Sequence, residues 1–306
     1  MEPNFADDLL AAIEEKGSPV CVGLDPVWDR LPKAYQKECS DEVERTEMIG
    51  EFCHDVLEAV APIVPAVKLQ SACFERYGQV GVDLFRIIVD AAQERDLLVI
   101  ADVKRGDIAS TAQAYAEGHL RGLFSPYGPT TGVPDAITVS PYFGTDGLQP
   151  FVDLAAEEDR GVFVLVRTSN PSAKEVQDIA DASGRKVYEH VAAMVARLGE
   201  GEDMVGERGY SCVGAVVGAT YPDEARRLRE LMPRQIFLVP GYGAQGATAA
   251  DCAAAFKADG TGAIVNASRS VIYAYQDKQY AGLDWKKAIA AAAKEFAEEI
   301  RKALAR

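Results

Sequence analysis

Eight short runs of apolar residues, each followed by polar or glycine-rich residues, constrain the fold of this chain more than any other feature. They occupy residues 20–24, 66–69, 97–101, 136–139, 162–166, 213–217, 236–239 and 263–265. Helical patterns fill most of the gaps, at residues 43–60, 82–94, 175–198 and 223–231. The run 97–101 has no polar alternation, which is typical of a strand buried on both faces. Buried strands that alternate with helices favour a closed (β/α)8 barrel, an α/β fold, over a doubly wound sheet.

Local signals predict helices at both ends of the chain. Asn4 is placed to cap a first helix that Gly17 ends, and a last helix is predicted to begin at Asp284. The chain has 306 residues, a length at which α/β barrels often remain undivided. Because no linker or low-complexity segment interrupts it, we predict a single barrel domain over residues 1–306. A surface elaboration is expected around residues 170–211, after the fifth strand.

The composition narrows the choice of partner. The net charge is −15 and no block of Lys or Arg occurs, which argues against nucleic acid or an anionic membrane. The start of the chain lacks the basic-then-apolar order of a signal peptide, and no apolar run could span a bilayer. A cytoplasmic location is therefore predicted, with the six scattered cysteines reduced. Since the three histidines are isolated and no C-x-x-C pair occurs, no metal site is predicted.

The end of the third strand carries the densest cluster of ionisable residues. Asp102 and Lys104 are two residues apart, so regular strand alternation predicts that their side chains share one face. Asp107 follows Gly106, where glycine is expected to let the chain leave the strand. Buried charges are costly unless they are paired or used, so this strand end is a candidate active site. A purely structural ion pair is the alternative.

Other polar residues occur where barrel enzymes hold their active sites, at the carboxyl ends of the strands. They are Asp25 after strand one, Lys68 and Gln70 on strand two, Ser169 after strand five, Gln245 after strand seven and Arg269 after strand eight. Each has a plainer interpretation: Asp25 could begin a turn, Lys68 could expose its amine, and Arg269 could be solvated.

A phosphate site is predicted after strands seven and eight. Barrels often bind phosphate there, through main-chain donors at a helix start and a nearby arginine such as Arg269. The sequence has no Walker loop and no G-x-G-x-x-G at the start of a helix. A phosphorylated substrate is therefore favoured over a nucleotide cofactor.

Taken together, these motifs resemble the orotidine 5′-phosphate decarboxylase family, in its longer type 2 subfamily. The motifs are Asp102-x-Lys104-x-x-Asp107-Ile108-x-x-Thr111, Pro240-Gly-x-Gly-Ala-Gln-Gly246 and Ser268-Arg269-Ser270, with Asp25 and Lys68. The resemblance covers essentially the whole chain. It implies decarboxylation of orotidine 5′-monophosphate (OMP) to UMP and CO2, the last step of UMP biosynthesis, by a cytoplasmic homodimer that needs no cofactor and no metal.

The resemblance also implies a role for each residue. Lys104 would stabilise and protonate a C6 carbanion, within an alternating array completed by Lys68, Asp102 and Asp107. Asp107, Ile108 and Thr111 would come from the other subunit. Asp25 and Lys68 would bind the ribose, Ser169 the pyrimidine, and Gln245 with Arg269 the phosphate.

Two other functions remain open on the sequence. One is a metal-dependent sugar-phosphate lyase or synthase on a related barrel, which would share the Asp-x-Lys-x-x-Asp motif. The other is a barrel that binds a nucleotide without catalysis.

Overall fold

The eight apolar runs form one closed parallel barrel. The structure, a computed structural model, describes residues 4–36, 39, 41–121 and 132–305. Within these ranges the strands are β1 (Val20–Leu24), β2 (Ala66–Gln70), β3 (Leu98–Arg105), β4 (Ala136–Val139), β5 (Gly161–Arg167), β6 (Ser211–Val217), β7 (Gln235–Pro240) and β8 (Ala263–Ala267). They pair in chain order and β8 closes on β1. The predicted (β/α)8 barrel is confirmed.

Helices follow the strands around the barrel. In the described ranges they are α1 (Phe5–Lys16), α2 (Glu42–Val60), α3 (Ala72–Glu75), α4 (Gly78–Gln93), α5 (Ala109–Ala116), α6 (Thr145–Glu157), α7 (Lys174–Gln177), α8 (Val187–Leu198), α9 (Pro222–Leu231), α10 (Ala249–Ala253), α11 (Arg269–Ile272) and α12 (Trp285–Leu304). A π-helical turn, Glu117–Arg121, extends α5. None of these helices is long and apolar enough to cross a membrane.

Helix α1 closes one end of the barrel, so a ligand can enter only from the other. Its Phe5 and Leu9 pack in one cluster with inward-facing strand residues such as Ile100 and Ile264. The Asn4 side chain accepts hydrogen bonds from the first turn of α1, and Gly17 ends the helix with a φ of 63°. Both predicted end signals are confirmed, and Asp284 likewise caps α12. The opening of the barrel therefore lies at the carboxyl ends of the strands.

The predicted helical pattern over residues 175–198 is wrong as a single helix. Helix α7 stops at Gln177, a turn containing Gly184 (φ 85°) follows, and α8 begins only at Val187. The cause is Arg167 at the end of β5, which is completely buried. Its guanidinium pairs with Asp178 at 3.1 Å and Glu224 at 2.6 Å. These contacts hold Asp178, the residue after α7, against the end of β5.

No disulfide joins cysteines in the described part of the chain, and Cys21, Cys53, Cys212 and Cys252 are buried. Burial raises the pKa of the Cys21 thiol to about 12. Because the thiolate is the reactive form, Cys21 is a packing residue.

Candidate active site

A cavity of about 440 Å³ opens at the carboxyl ends of the strands. Its wall includes the predicted residues Asp25, Lys68, Asp102, Lys104, Ser169, Gln245 and Arg269. Apolar side chains from β5, β6 and β7 form part of the same wall: Leu165, Val216 and Leu238. The cavity therefore brings together charged groups from β1, β2, β3 and the start of α11 with apolar side chains from β5, β6 and β7.

Four charged side chains form one side of the cavity, and we call Asp25, Lys68, Asp102 and Lys104 the charged array. The Lys68 ammonium lies 2.9 Å from one oxygen of Asp102, and Lys104 lies 2.5 Å from the other. Asp25 lies 4.0 Å from Lys68. The side chain of Lys68 is 7% exposed whereas that of Lys104 is 45% exposed. Lys104 is thus the ammonium that a ligand can reach.

Asp102 is the centre of the array because four donors converge on its carboxylate. Oδ1 accepts from Lys104 and from the Thr138 hydroxyl, and Oδ2 accepts from Lys68 and from the Gln70 amide. Burial alone would raise the pKa of Asp102, but the two ammonium groups outweigh burial and hold this pKa well below its usual range. Asp102 is therefore a carboxylate at any physiological pH.

The same pairing keeps Lys68 charged. Burial disfavours an ammonium, yet Asp102 and Asp25 outweigh that effect and raise the pKa of Lys68 above its ordinary value. The cavity is thereby lined by fixed charges of both signs. Such preorganised charge can stabilise charge that develops during a reaction.

Asp102 and Lys104 both line the cavity, but not because of the regular strand alternation that the sequence analysis assumed. Strand β3 shifts register against β4 between Ala101 and Arg105, so three residues of β3 lie opposite Thr138 alone. Lys104 has a φ of 46°, outside the extended range of a strand. A bulge rather than the pleat therefore sets the position of Lys104.

Gly106 has a different role from the predicted one. It does not have a positive φ, whereas Lys104 and Ala109 on either side do. A Cβ at Gly106 would lie 3.2 Å from the Ser140 carbonyl oxygen. Glycine lets the chain after β3 pass close to the chain after β4, where a larger residue would be tightly packed.

Asp107, Ile108 and Thr111 do not line the cavity of their own chain. Asp107 is half-buried and accepts a hydrogen bond from the Ile108 N–H at 2.8 Å. Ile108 is 52% exposed, and Thr111 is exposed on α5. Three other large side chains beside this segment are exposed: Tyr115, Tyr142 and Phe143. The end of the motif thus lies on an apolar outer surface.

Another part of the cavity wall comes from the turn 240–247 after β7 and from Ser268 and Arg269 after β8, and we call these residues the loop end. Gly241, Gly243 and Gly246 all have positive φ, so the glycines are required by the turn. Tyr242 fixes the base of the turn, since its ring stacks on Phe296 and its hydroxyl donates to Glu299. The tip stays open to solvent.

The two predicted anion-binding side chains lie at this loop end. Gln245 and Arg269 are both exposed and line the cavity. Arg269 makes no ion pair with any carboxylate in the described part of the chain. Its guanidinium is therefore available to an anionic ligand.

Sequence reasoning missed some residues of the cavity wall. Thr138 was part of a predicted strand but was not assigned to the site, although it is the one polar residue of β4. Asn266 was noted only as a strand ending; it is 7% exposed, and its Oδ1 has no hydrogen-bond partner among the described residues. A polar residue inside an otherwise apolar strand is the signal that could have found both.

Comparison with known proteins gives consistent matches. The model of the family described as "Orotidine 5'-phosphate decarboxylase / HUMPS family" matches residues 18–283. An orotidine 5′-phosphate decarboxylase of Rhodopirellula baltica is 41% identical, covering 97% of this chain and 99% of that protein. One from Deinococcus radiodurans is 43% identical, covering 90% of this chain and 91% of that protein. The solved structure of Leishmania donovani OMP decarboxylase is 32% identical, with a TM-score of 0.75, and covers 99% and 100% of the two chains.

Proposed function

The chain belongs to the orotidine 5′-phosphate decarboxylase / HUMPS family, and from that premise we propose how its cavity decarboxylates OMP to UMP and CO2. The observation that carries the proposal is the pairing of Lys104 with Asp102 at the cavity wall, 2.5 Å apart. Lys104 is the proton donor to C6 of the pyrimidine, and Asp102, itself held by Lys68, keeps the Lys104 ammonium in position. The type 2 assignment remains a prediction.

The chemistry requires a cation beside C6. When the C6–carboxylate bond breaks, its electron pair stays on C6, where no adjacent π-acceptor can delocalise it. The Lys104 ammonium stabilises that carbanion and then transfers a proton to it, which gives the C6–H bond of UMP and a neutral amine. Solvent returns the proton to Lys104. No cofactor or metal enters this sequence.

The rest of the cavity supports a nucleotide monophosphate in one orientation. With C6 at Lys104, the ribose hydroxyls meet Asp25 and Lys68 and the pyrimidine amide meets Ser169. The phosphate meets Gln245 and Arg269 at the loop end. Binding energy from that remote phosphate can hold the ring against the array.

We also propose that two copies of the chain form a homodimer in which Asp107, Ile108 and Thr111 serve the partner's cavity. Two observations support it: these residues are absent from the wall of their own cavity, and they border exposed apolar side chains, among them Tyr142 at 85% exposure. Exposed apolar surface of this kind is typical of an interface. A half-buried Asp107 would then complete the alternating charges. The cytoplasmic location remains a prediction, which the buried, unoxidised thiols of Cys21, Cys53, Cys212 and Cys252 support.

A metal-dependent sugar-phosphate enzyme fits the cavity less well. Each oxygen of Asp102 already accepts two hydrogen bonds, and two ammonium groups lie within 2.9 Å of it. A divalent cation placed there would meet like charges. Among the described residues no group of three or more His, Cys, Asp or Glu could hold a metal.

Loss of OMP absorbance on adding the purified protein, with and without a chelator, tests the activity. We expect turnover that the chelator leaves unchanged. In D2O the product UMP should carry deuterium at C6, since the proton comes from an exchangeable ammonium. No OMP turnover, or turnover abolished by the chelator and restored by a divalent metal, would contradict the proposal.

A further inference from the structure

We propose that Thr138 is a positioning residue for the decarboxylation, whose single hydroxyl fixes both the carboxylate of Asp102 and the backbone of Lys104. The inference rests on the proposed function, in which Lys104 is the proton donor. Thr138 itself acts through these two neighbours.

The hydroxyl of Thr138 makes two hydrogen bonds, one as donor and one as acceptor. It donates its proton to Asp102 Oδ1 at 2.9 Å and accepts the backbone N–H of Lys104 at 3.0 Å. A hydroxyl has one proton and two lone pairs, so one group can make both contacts. Thr138 is 1% exposed, so its hydroxyl makes both contacts from a buried position at the cavity wall.

The local fold explains why Lys104 needs this side chain. Between Ala101 and Arg105 the ladder of β3 with β4 is interrupted, and Thr138 is the β4 residue opposite the gap. The N–H of Lys104 therefore bonds to a side chain. Lys104 also has a φ of 46°, a conformation that residues other than glycine keep only when their surroundings impose it.

The contacts converge on one oxygen atom of Asp102. Oδ1 receives the Thr138 hydroxyl at 2.9 Å and the Lys104 ammonium at 2.5 Å. Lys68 and Gln70 hold only the other oxygen. Without the hydroxyl, the Asp102 carboxylate is held by Lys68 and Gln70 at Oδ2 but can rotate at Oδ1. The Lys104 backbone can also relax from its left-handed conformation. Both changes move the ammonium relative to C6, and small misplacements of a reacting group are costly.

The test compares variants that keep or remove the hydroxyl. Thr138→Val has nearly the same shape and no hydroxyl, so kcat for OMP should fall by about 10- to 100-fold. KM for OMP and the affinity for UMP should change by less than about 3-fold, since the phosphate and ribose groups are untouched. Thr138→Ser keeps the hydroxyl and should retain most of kcat.

Thr46→Val is the matched control. Thr46 is also buried, at 4% exposure, and its hydroxyl donates to the Glu42 carbonyl within α2 at 2.7 Å. This control should keep the kcat of the wild type, because the same chemical change occurs away from the cavity. If Thr138→Val does not fold, Thr138→Ser against Thr138→Ala gives the same contrast, and Ala should have the lower kcat.

The outcomes separate the two proposals. Thr138→Val with wild-type kcat would overturn the positioning role, as would a Ser variant as slow as the Val variant. A higher KM for OMP with an unchanged kcat would also overturn it. A wild-type protein without OMP turnover would instead contradict the proposed function.

Discussion

The charged array and the loop end are built on opposite principles. In the array, Asp102 accepts four hydrogen bonds and Lys68 is only 7% exposed. At the loop end, Gln245 and Arg269 are exposed, and Arg269 has no carboxylate partner within the described ranges. The contacts within the array are made before any ligand binds, whereas the donors of the loop end are free. The difference separates groups that must be fixed for chemistry from groups that capture a ligand.

Electrostatics explains why the two ends differ. Charges that stabilise a transition state are most effective when they are already oriented and shielded from water. A group that captures an anion must first be reachable from solvent, although salt then screens it more strongly. Substitutions at the array should therefore lower kcat, and substitutions at the loop end should raise KM.

The largest effect is expected for Lys104→Ala. Removal of the reachable ammonium takes away the proton donor and the charge beside C6, so kcat should fall by about 10⁴-fold or more. UMP should still bind, because the loop end is intact. Steady-state kinetics and UMP titration measure the two effects. Lys302→Ala, which removes a 73% exposed lysine on α12, is the control and should be fully active. Near-normal decarboxylation by Lys104→Ala would refute the role of the array.

Subunit mixing asks whether Asp107 of one subunit serves the charged array of the other. Lys104→Ala and Asp107→Ala should each be nearly inactive as pure proteins. In a heterodimer, one of the two sites would combine a normal Lys104 with a normal Asp107. Random exchange of equal amounts should recover about a quarter of the wild-type activity, as expected for a symmetric dimer with shared sites. Exchanged dimers, verified by mass, that stay inactive would mean that Asp107 is not donated.

Substitutions at the loop end should raise KM for OMP. Arg269→Ala removes a charged donor to the phosphate and should raise KM for OMP by about 10- to 100-fold. Gln245→Ala removes a neutral donor and should raise it by about 2- to 10-fold. In both variants kcat should change less than KM. If Arg269→Ala lowers kcat while KM is unchanged, the two ends do not divide binding from chemistry.

The sequence predicted the strands well because a closed barrel buries them on both faces. Runs such as 20–24 and 136–139 coincide with β1 and β4. It predicted wrongly where a distant contact decides the local structure. Residues 175–198 have a helical pattern, but the buried Arg167 draws in Asp178 and ends α7. The helical pattern of residues 175–198 alone could not predict this ion pair.

In the cavity, too, local sequence features were predicted and features that depend on distant contacts were not. Charged residues at strand ends could be identified from type and position alone. The sequence marks Thr138 as the one polar residue of its strand, but its contact with the Lys104 backbone depends on the register shift of β3 against β4, which is a property of the assembled barrel. The alternation rule predicted that Asp102 and Lys104 lie together, and they do, but β3 is not a regular strand at this point.

The smallest effect is expected in the pH dependence of stability, and it should distinguish the two ends once more. The pKa of Asp102 is lowered in the folded protein, so its stabilising contribution is present above the unfolded value, about 3.9, and is lost as the pH falls below it. Between pH 5 and pH 3 this single group should cost about 1 kcal/mol of unfolding free energy.

Urea unfolding at pH 5 and pH 3 measures that loss. Asp102→Asn should lose about 1 kcal/mol less than the wild type over this interval, because an amide does not titrate. Arg269→Ala should lose as much as the wild type, since Arg269 has no carboxylate partner in the described part of the chain. Equal losses in Asp102→Asn and the wild type would mean that the lysines do not lower the pKa of Asp102. The array would then be no more preorganised than the loop end.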